Sequence, residues 1–244
     1  MIHYFDIRKR IEARKEFCAS LVDAALAQAD ARAEMNAFIE LFAEAAMARA
    51  RECDARSAAG DARPLEGMLI AVKDNIAVRG HEITAGSRML AGYHAVRDAT
   101  VIARLRDAGA VLLGRANMDE FAMGSSGQTS AHGPVRHPFL EGYVPGGSSS
   151  GSAAAVAAGI VHGALGTDTG GSVRQPAAWT ATVGMKPTYG RVSRSGLVAF
   201  SSSCDQIGPI SASVEDNARM LAVIGPIWSQ DDANATSPER DTRP

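Results

Sequence analysis

Strand, helix and strand follow one another along this 244-residue sequence as they do in an α/β layer. GMLIAVKDN, residues 67–75, is a short apolar run closed by polar turn formers and reads as a buried strand. Residues 98–109 carry a helical stripe of Val101, Ile102, Leu105 and Ala108, with Asp98 placed to cap the helix and Gly109 to end it. The chain then enters AVLLGR, a second apolar strand. DQIGPI and SVEDNARMLAVI repeat the alternation over 205–224, with Ser213 and Asp216 at capping-box spacing.

The remaining segments fit around this core. From Phe5 to about Ala59 the chain is rich in Ala, Glu and Arg, and the spacing of Ile7, Ile11, Leu21, Ala24 and Ala25, then Phe38, Leu41, Phe42 and Ala45, predicts two or three amphipathic helices. Residues 1–60 read as an N-terminal helical segment ahead of a core over 61–228. Within the core, 124–171 is rich in Gly and Ser and carries little periodicity outside an Ala-rich helix after Ser152, so its work is backbone placement. Residues 229–244, SQDDANATSPERDTRP, are polar and aperiodic and read as a frayed tail.

Composition narrows the function classes. With 46% hydrophobic and 21% charged residues the chain can bury a sizeable core. Its 25 basic and 27 acidic side chains leave a net charge of −2 and no overall field to attract nucleic acid, so any RNA contact is predicted to be indirect. Cys18, Cys53 and Cys204 are widely spaced with no CxxC, which predicts reduced thiols in a cytoplasmic protein. The longest apolar stretch, Ala153–Leu165, is interrupted by His162 and is too short to span a membrane. The opening MIHYFDIRKRIEARKE has no hydrophobic region of the kind a signal peptide needs.

Several chemistries can be weighed against the residues. Gly147-Ser148-Ser149-Ser150-Gly151 matches the G-x-S-x-G nucleophile elbow with Ser149 at its centre. An elbow needs a preceding strand and a downstream acid and histidine, and the only later histidine is His162, thirteen residues after Ser149 in an apolar segment. Phosphate-binding patterns are missing too, since neither G-K-[ST] nor a strand-to-helix G-x-G-x-x-G occurs. The six histidines are scattered, and no metal site is predicted.

Lysine is more informative, because only four of the 25 basic residues are lysines. Lys73 ends an apolar strand, where burial would depress its pKa and make a usable base; the plain alternative is a lysine snorkelling from a strand end. In GTDTGGSVRQP, Ser172 follows two glycines ahead of a possible helix, so consecutive N–H groups can converge as an oxyanion hole. The plain alternative there is a tight Gly turn with a Ser cap.

Three motifs in one order, VKDN, PGGSSSGSAAAVAAG and DTGGSVRQPAA, resemble the amidase signature family. DATVIARLRDAGAVLLGRANMDEFAMGSS and VGMKPTYGRVSRSGLVAFSSSCDQIGPISASVEDNA are more specifically similar to the A subunits of glutamyl-tRNA(Gln)/aspartyl-tRNA(Asn) amidotransferases within it. The resemblance runs from about Asn36 to Ile224. It implies a mixed sheet core surrounded by helices, with the N-terminal helical segment packing on that core and the second half of the family fold missing from these 244 residues.

Carried over by position, the resemblance makes Lys73 the catalytic base, Ser148 a relay serine preceded by a cis peptide, and Ser172 the acyl-forming nucleophile. Backbone N–H groups of Thr169, Gly170, Gly171 and Ser172 become the oxyanion hole, and Met123 and Ser125 line the acyl pocket. The substrate implied is glutamine, whose ammonia feeds transamidation. ATP and magnesium belong to a partner B subunit, a small C subunit braces the pair, and aminoacyl-tRNA is met only through the complex. This chain itself would bind no cofactor. Other readings are a general amidase of small amides and a catalytically idle fragment. Ser150, where the A subunits usually carry glycine, Trp179 and the loop GQTSAHGPVRHP depart from the pattern.

Overall fold

The computed structural model describes residues 3–225. Six strands form one mixed sheet in the order β1-β3-β2-β4-β6-β5. These are β1 (Phe38–Leu41), β2 (Leu69–Lys73), β3 (Val111–Ala116), β4 (Gly163–Asp168), β5 (Val183–Gly184) and β6 (Gln206–Ser211). The central β3, β2 and β4 run parallel, whereas β1, β6 and β5 join antiparallel.

Helices cover both faces: α1 (Tyr4–Glu12), α2 (Cys18–Ala31), α3 (Ala43–Ala59), α4 (Thr100–Asp107), α5 (Ser150–Ala157), α6 (Arg174–Trp179) and α7 (Val214–Ile224). β2 shows why a fully apolar strand was needed. Leu69 and Ala71 join the cluster under α2, α3 and α5, while Ile70 and Val72 join the one under α4 and α7. With both faces of the strand covered, no position in it can be polar without a partner. Among the described residues, no helix is long and apolar enough to cross a membrane.

Four local expectations change. Phe38–Leu41 is a strand and not part of a helix, because it pairs with β3, Leu41 opposite Gly114, and sheet pairing overrides the helical spacing. Asp98 does not cap α4; Ala99 holds that position, and the Asp98 carboxylate instead accepts Arg79 N–H at 2.8 Å and pairs with Arg106 at 3.4 Å. The Ala-rich helix α5 begins three residues early, at Ser150, and every residue in it is buried. β4, in the stretch read as aperiodic, lies inside the sheet. Its glycines allow close packing: a Cβ on Gly166 would meet Ser149 Oγ at 2.7 Å and Val173 Cγ2 at 2.9 Å.

Ser213 caps α7 as its spacing predicts, accepting Asp216 N–H at 3.1 Å. The reciprocal half of the box is used elsewhere. The buried Asp216 carboxylate accepts Tyr4 N–H at 2.9 Å and Phe5 N–H at 3.1 Å, so α7 satisfies the open N-terminus of α1 across the fold. The three cysteines are free thiols, Cys18 and Cys53 buried and Cys204 exposed. The tail expected over 229–244 lies outside the described residues.

Candidate active site

β2 and β4 run side by side, and their ends assemble the site. Lys73 is the last residue of β2 and is fully buried. Its Nζ lies 2.7 Å from Ser148 Oγ, 2.8 Å from Thr167 Oγ1 and 3.4 Å from the Thr167 carbonyl. Burial pushes the amine down to about 7, against the opposing pull of Asp119, Asp168 and Asp205. Lys73 therefore does not snorkel. Asn75 Nδ2 also donates to Thr167 Oγ1, at 3.1 Å, and to the Val198 carbonyl at 3.4 Å.

Ser148 follows a cis Gly147–Ser148 peptide. Its loop is held by Asp119, whose backbone N–H donates to the Ser148 carbonyl at 3.2 Å and whose carboxylate accepts Gly127 N–H at 2.9 Å. Only glycine fits at 147, because a Cβ there would stand 2.0 Å from Asp119 Oδ2. Ser149 is turned away from the cleft: its Oγ accepts Thr167 N–H at 3.2 Å and donates to the Thr167 carbonyl at 3.3 Å. No strand leads into this turn, so the elbow geometry is absent among the described residues.

Ser172 is half-buried on the loop between β4 and α6. Its carbonyl accepts Ser149 N–H at 3.1 Å, which joins the two serine loops through backbone. Asp168 shapes the loop from below. Its carboxylate accepts Gly171 N–H at 2.7 Å and Val173 N–H at 3.1 Å, and Arg174 Nε and Nη2 each at 2.9 Å. Burial pushes the Asp168 carboxyl up, but Arg174 and the backbone donors outweigh it and hold the group below the usual carboxylate range.

That arrangement corrects one predicted donor. Gly171 N–H donates to the Asp168 carboxylate and is not directed into the cleft. Gly170 and Ser172 N–H have no internal partner among the described residues. An open cleft of about 540 Å³ brings Met123, Ser125, Thr169, Gly170, Gly171 and Ser172 together with Gly147, Gln175 and Phe200. Lys73 and Ser148 are buried and are not among its lining residues, whereas Gly147, next to Ser148, is.

The departures fall on different places. Ser150 Oγ is buried without a partner beside Gly127. Residues 134–138 of the GQTSAHGPVRHP loop, with Gln128, line a separate cavity of about 920 Å³ near Met35. The Trp179 carbonyl lies 3.1 Å from His137 Nε2. Thr167, Asp168, Asp119 and Gln175 were not foreseen as site-forming residues. The Asp that opens DTGGSVR, six residues before an arginine, was the one readable signal for a carboxylate bracing a glycine turn.

The sequence and the fold have counterparts among known proteins. The Amidase family model matches residues 20–244. The A subunit of the glutamyl-tRNA(Gln) amidotransferase of Salinibacter ruber is 55% identical over 235 residues, which is 96% of this chain and 45% of that protein. A crystal structure of the same subunit from Thermotoga maritima superposes with a TM-score of 0.78 and 42% identity, over 90% of this chain and 46% of the other. The native peptide amidase of Stenotrophomonas maltophilia superposes at 0.87 with 37% identity, over 98% and 50%. The chain thus spans about half the length of the relatives it matches. A family model that covers nearly the whole sequence, joined to a structural match along 98% of it, has one reading: the chain belongs to the amidase family.

Proposed function

We propose that this chain carries the Ser-cisSer-Lys centre of a glutamine amidohydrolase subunit that supplies ammonia for transamidation of Glu-tRNA(Gln) or Asp-tRNA(Asn). The observation that carries the reading is the buried Lys73–Ser148 contact of 2.7 Å, with the amine held near neutrality. A neutral amine has two N–H donors and one lone pair. The Thr167 carbonyl can only accept and Thr167 Oγ1 takes a second N–H, which leaves the lone pair for the Ser148 hydroxyl.

The Ser172 hydroxyl proton passes to Ser148, and the Ser148 proton to Lys73. Ser172 Oγ forms a bond to the glutamine side-chain carbonyl carbon, whose oxygen becomes the oxyanion. Thr169, Gly170 and Ser172 N–H are the donors proposed for it, where losing one such donor typically costs roughly 10²–10³ in rate. The C–N bond then breaks, the leaving nitrogen takes the proton back along the relay, and ammonia departs. Water hydrolyses the acyl-Ser172 ester to glutamate by the same relay. Met123 and Ser125 form the wall against which the acyl chain lies.

The transamidation half of the reading rests on the 55% identity to an amidotransferase A subunit. It assigns ATP, magnesium and the aminoacyl-tRNA to a B subunit and bracing to a C subunit. A general amidase acting on simple amides is the second reading, favoured by the fit to peptide amidase.

Incubation of the purified chain with an alkyl fluorophosphonate, followed by intact mass and peptide mapping, tests the centre. An adduct on Ser172 that is lost in Lys73→Ala supports it, and a folded chain without adduct overturns it. Preference for simple amides over glutamine with the partner subunits present would sink transamidation.

A further inference from the structure

Gln175 lies outside the proposed triad, yet its side chain touches both loops that face Ser172. Oε1 accepts Gly147 N–H at 2.8 Å, one residue before the relay serine. Nε2 donates to the Ser125 carbonyl at 2.9 Å, on the wall of the cleft. Its own backbone N–H donates to the Gly171 carbonyl at 2.8 Å, one residue before the nucleophile. One residue therefore ties the relay loop, the pocket wall and the nucleophile loop to a single point.

The chemistry of the two contacts admits few side chains. Gly147 N–H is a donor and the Ser125 carbonyl an acceptor, so the site needs an acceptor and a donor on one planar group, which a carboxamide supplies. Their identities also settle which end of the amide is which. Asparagine is one methylene shorter. Glutamate can keep the Gly147 bond but would set a carboxylate oxygen against the Ser125 carbonyl. A Cβ on Gly146 would stand 2.8 Å from Gln175 Oε1, so the side chain packs closely against the relay loop as well as bonding to it.

We infer that Gln175 is a positioning residue that sets Ser148 against Ser172 through Gly147 and sets the cleft width through Ser125. The inference rests on the reading of Ser172 as nucleophile. The two bonds serve different steps. The Gly147 bond governs how fast a bound acyl donor is attacked, and the Ser125 bond governs how well it is held.

Saturation kinetics of the alkyl fluorophosphonate on the full chain separate them as kinact and KI. Gln175→Glu keeps kinact within about twofold and raises KI about tenfold, whereas Gln175→Met, which breaks both bonds at similar volume, also lowers kinact about tenfold, in keeping with the cost of small misplacements. Equal kinetics in the two variants, or wild-type kinetics in Gln175→Met, overturn the inference while leaving Ser172 as nucleophile. Loss of the thermal transition in both variants makes Gln175 a stability residue and overturns it too. A wild-type chain that takes no label on Ser172 removes the nucleophile reading and this inference with it.

Discussion

Lys73 Nζ and Ser148 Oγ stand 2.7 Å apart with both side chains wholly buried. A proton moving between them is shielded from bulk water, and the amine's low affinity for that proton follows from the same burial. The contact makes the proposed base sensitive to pH and to side-chain identity in ways that can be measured.

Acylation of Ser172 needs the neutral amine. The labelling rate is expected to rise with pH through a midpoint near 7 and to level off above it, following the Lys73 titration. Lys73→Arg, which cannot deprotonate, should lose at least about 10²-fold, as expected for removing a general base. A rate that is flat from pH 6 to 9 contradicts the assignment.

The two neighbouring serines should rank in one order. Ser148→Ala removes the relay and is expected to abolish most labelling. Ser149→Ala removes only a brace on the Thr167 backbone, costing about 1 kcal/mol of stability by denaturant titration and less than tenfold in rate. The reverse ranking would restore the elbow reading.

His162 is a buried acceptor: Leu69 N–H donates to its Nδ1 at 3.0 Å, and burial pushes the ring down to about 4. The unfolded chain takes up a proton near 6.5, so between about pH 6.5 and 4 it binds more protons than the native state. Stability is full above that range and falls as pH drops through it, by roughly 3 kcal/mol from this residue. His162→Gln should flatten the acid limb of a urea-midpoint series; an unchanged limb rules His162 out as its cause.

Asp216 closes α1 from a distance of more than two hundred residues. Asp216→Ala leaves two buried or part-buried N–H groups without an acceptor, and is expected to cost about 2 kcal/mol and to raise hydrogen exchange in 4–12 before the rest of the sheet. Unchanged exchange there would mean that α1 is held by Tyr4 and Ile7 packing alone.

Local pattern determined much of this protein. The apolar run ending in Lys73, the stripe Val101-Ile102-Leu105, the Ser213 cap and the order of the three motifs each rest on neighbours a few residues apart, and all are legible without a fold. Residues whose state depends on distant partners were not. Phe38–Leu41 reads as helix until β3 offers it an edge, and β4 reads as loop because its glycines answer to Ser149 and Val173 pressing from outside the strand. Asp98 and Gly171 were assigned by position, but Arg79 and Asp168 redirect their hydrogen bonds. The sequence alone placed lysine and serines on three separate segments; that Lys73 meets Ser148, that Thr167 takes up the amine's other bonds and that Gln175 ties three loops together were decided by β2 and β4 lying side by side, since hydrogen bonds act over about 3 Å of space and not along the chain.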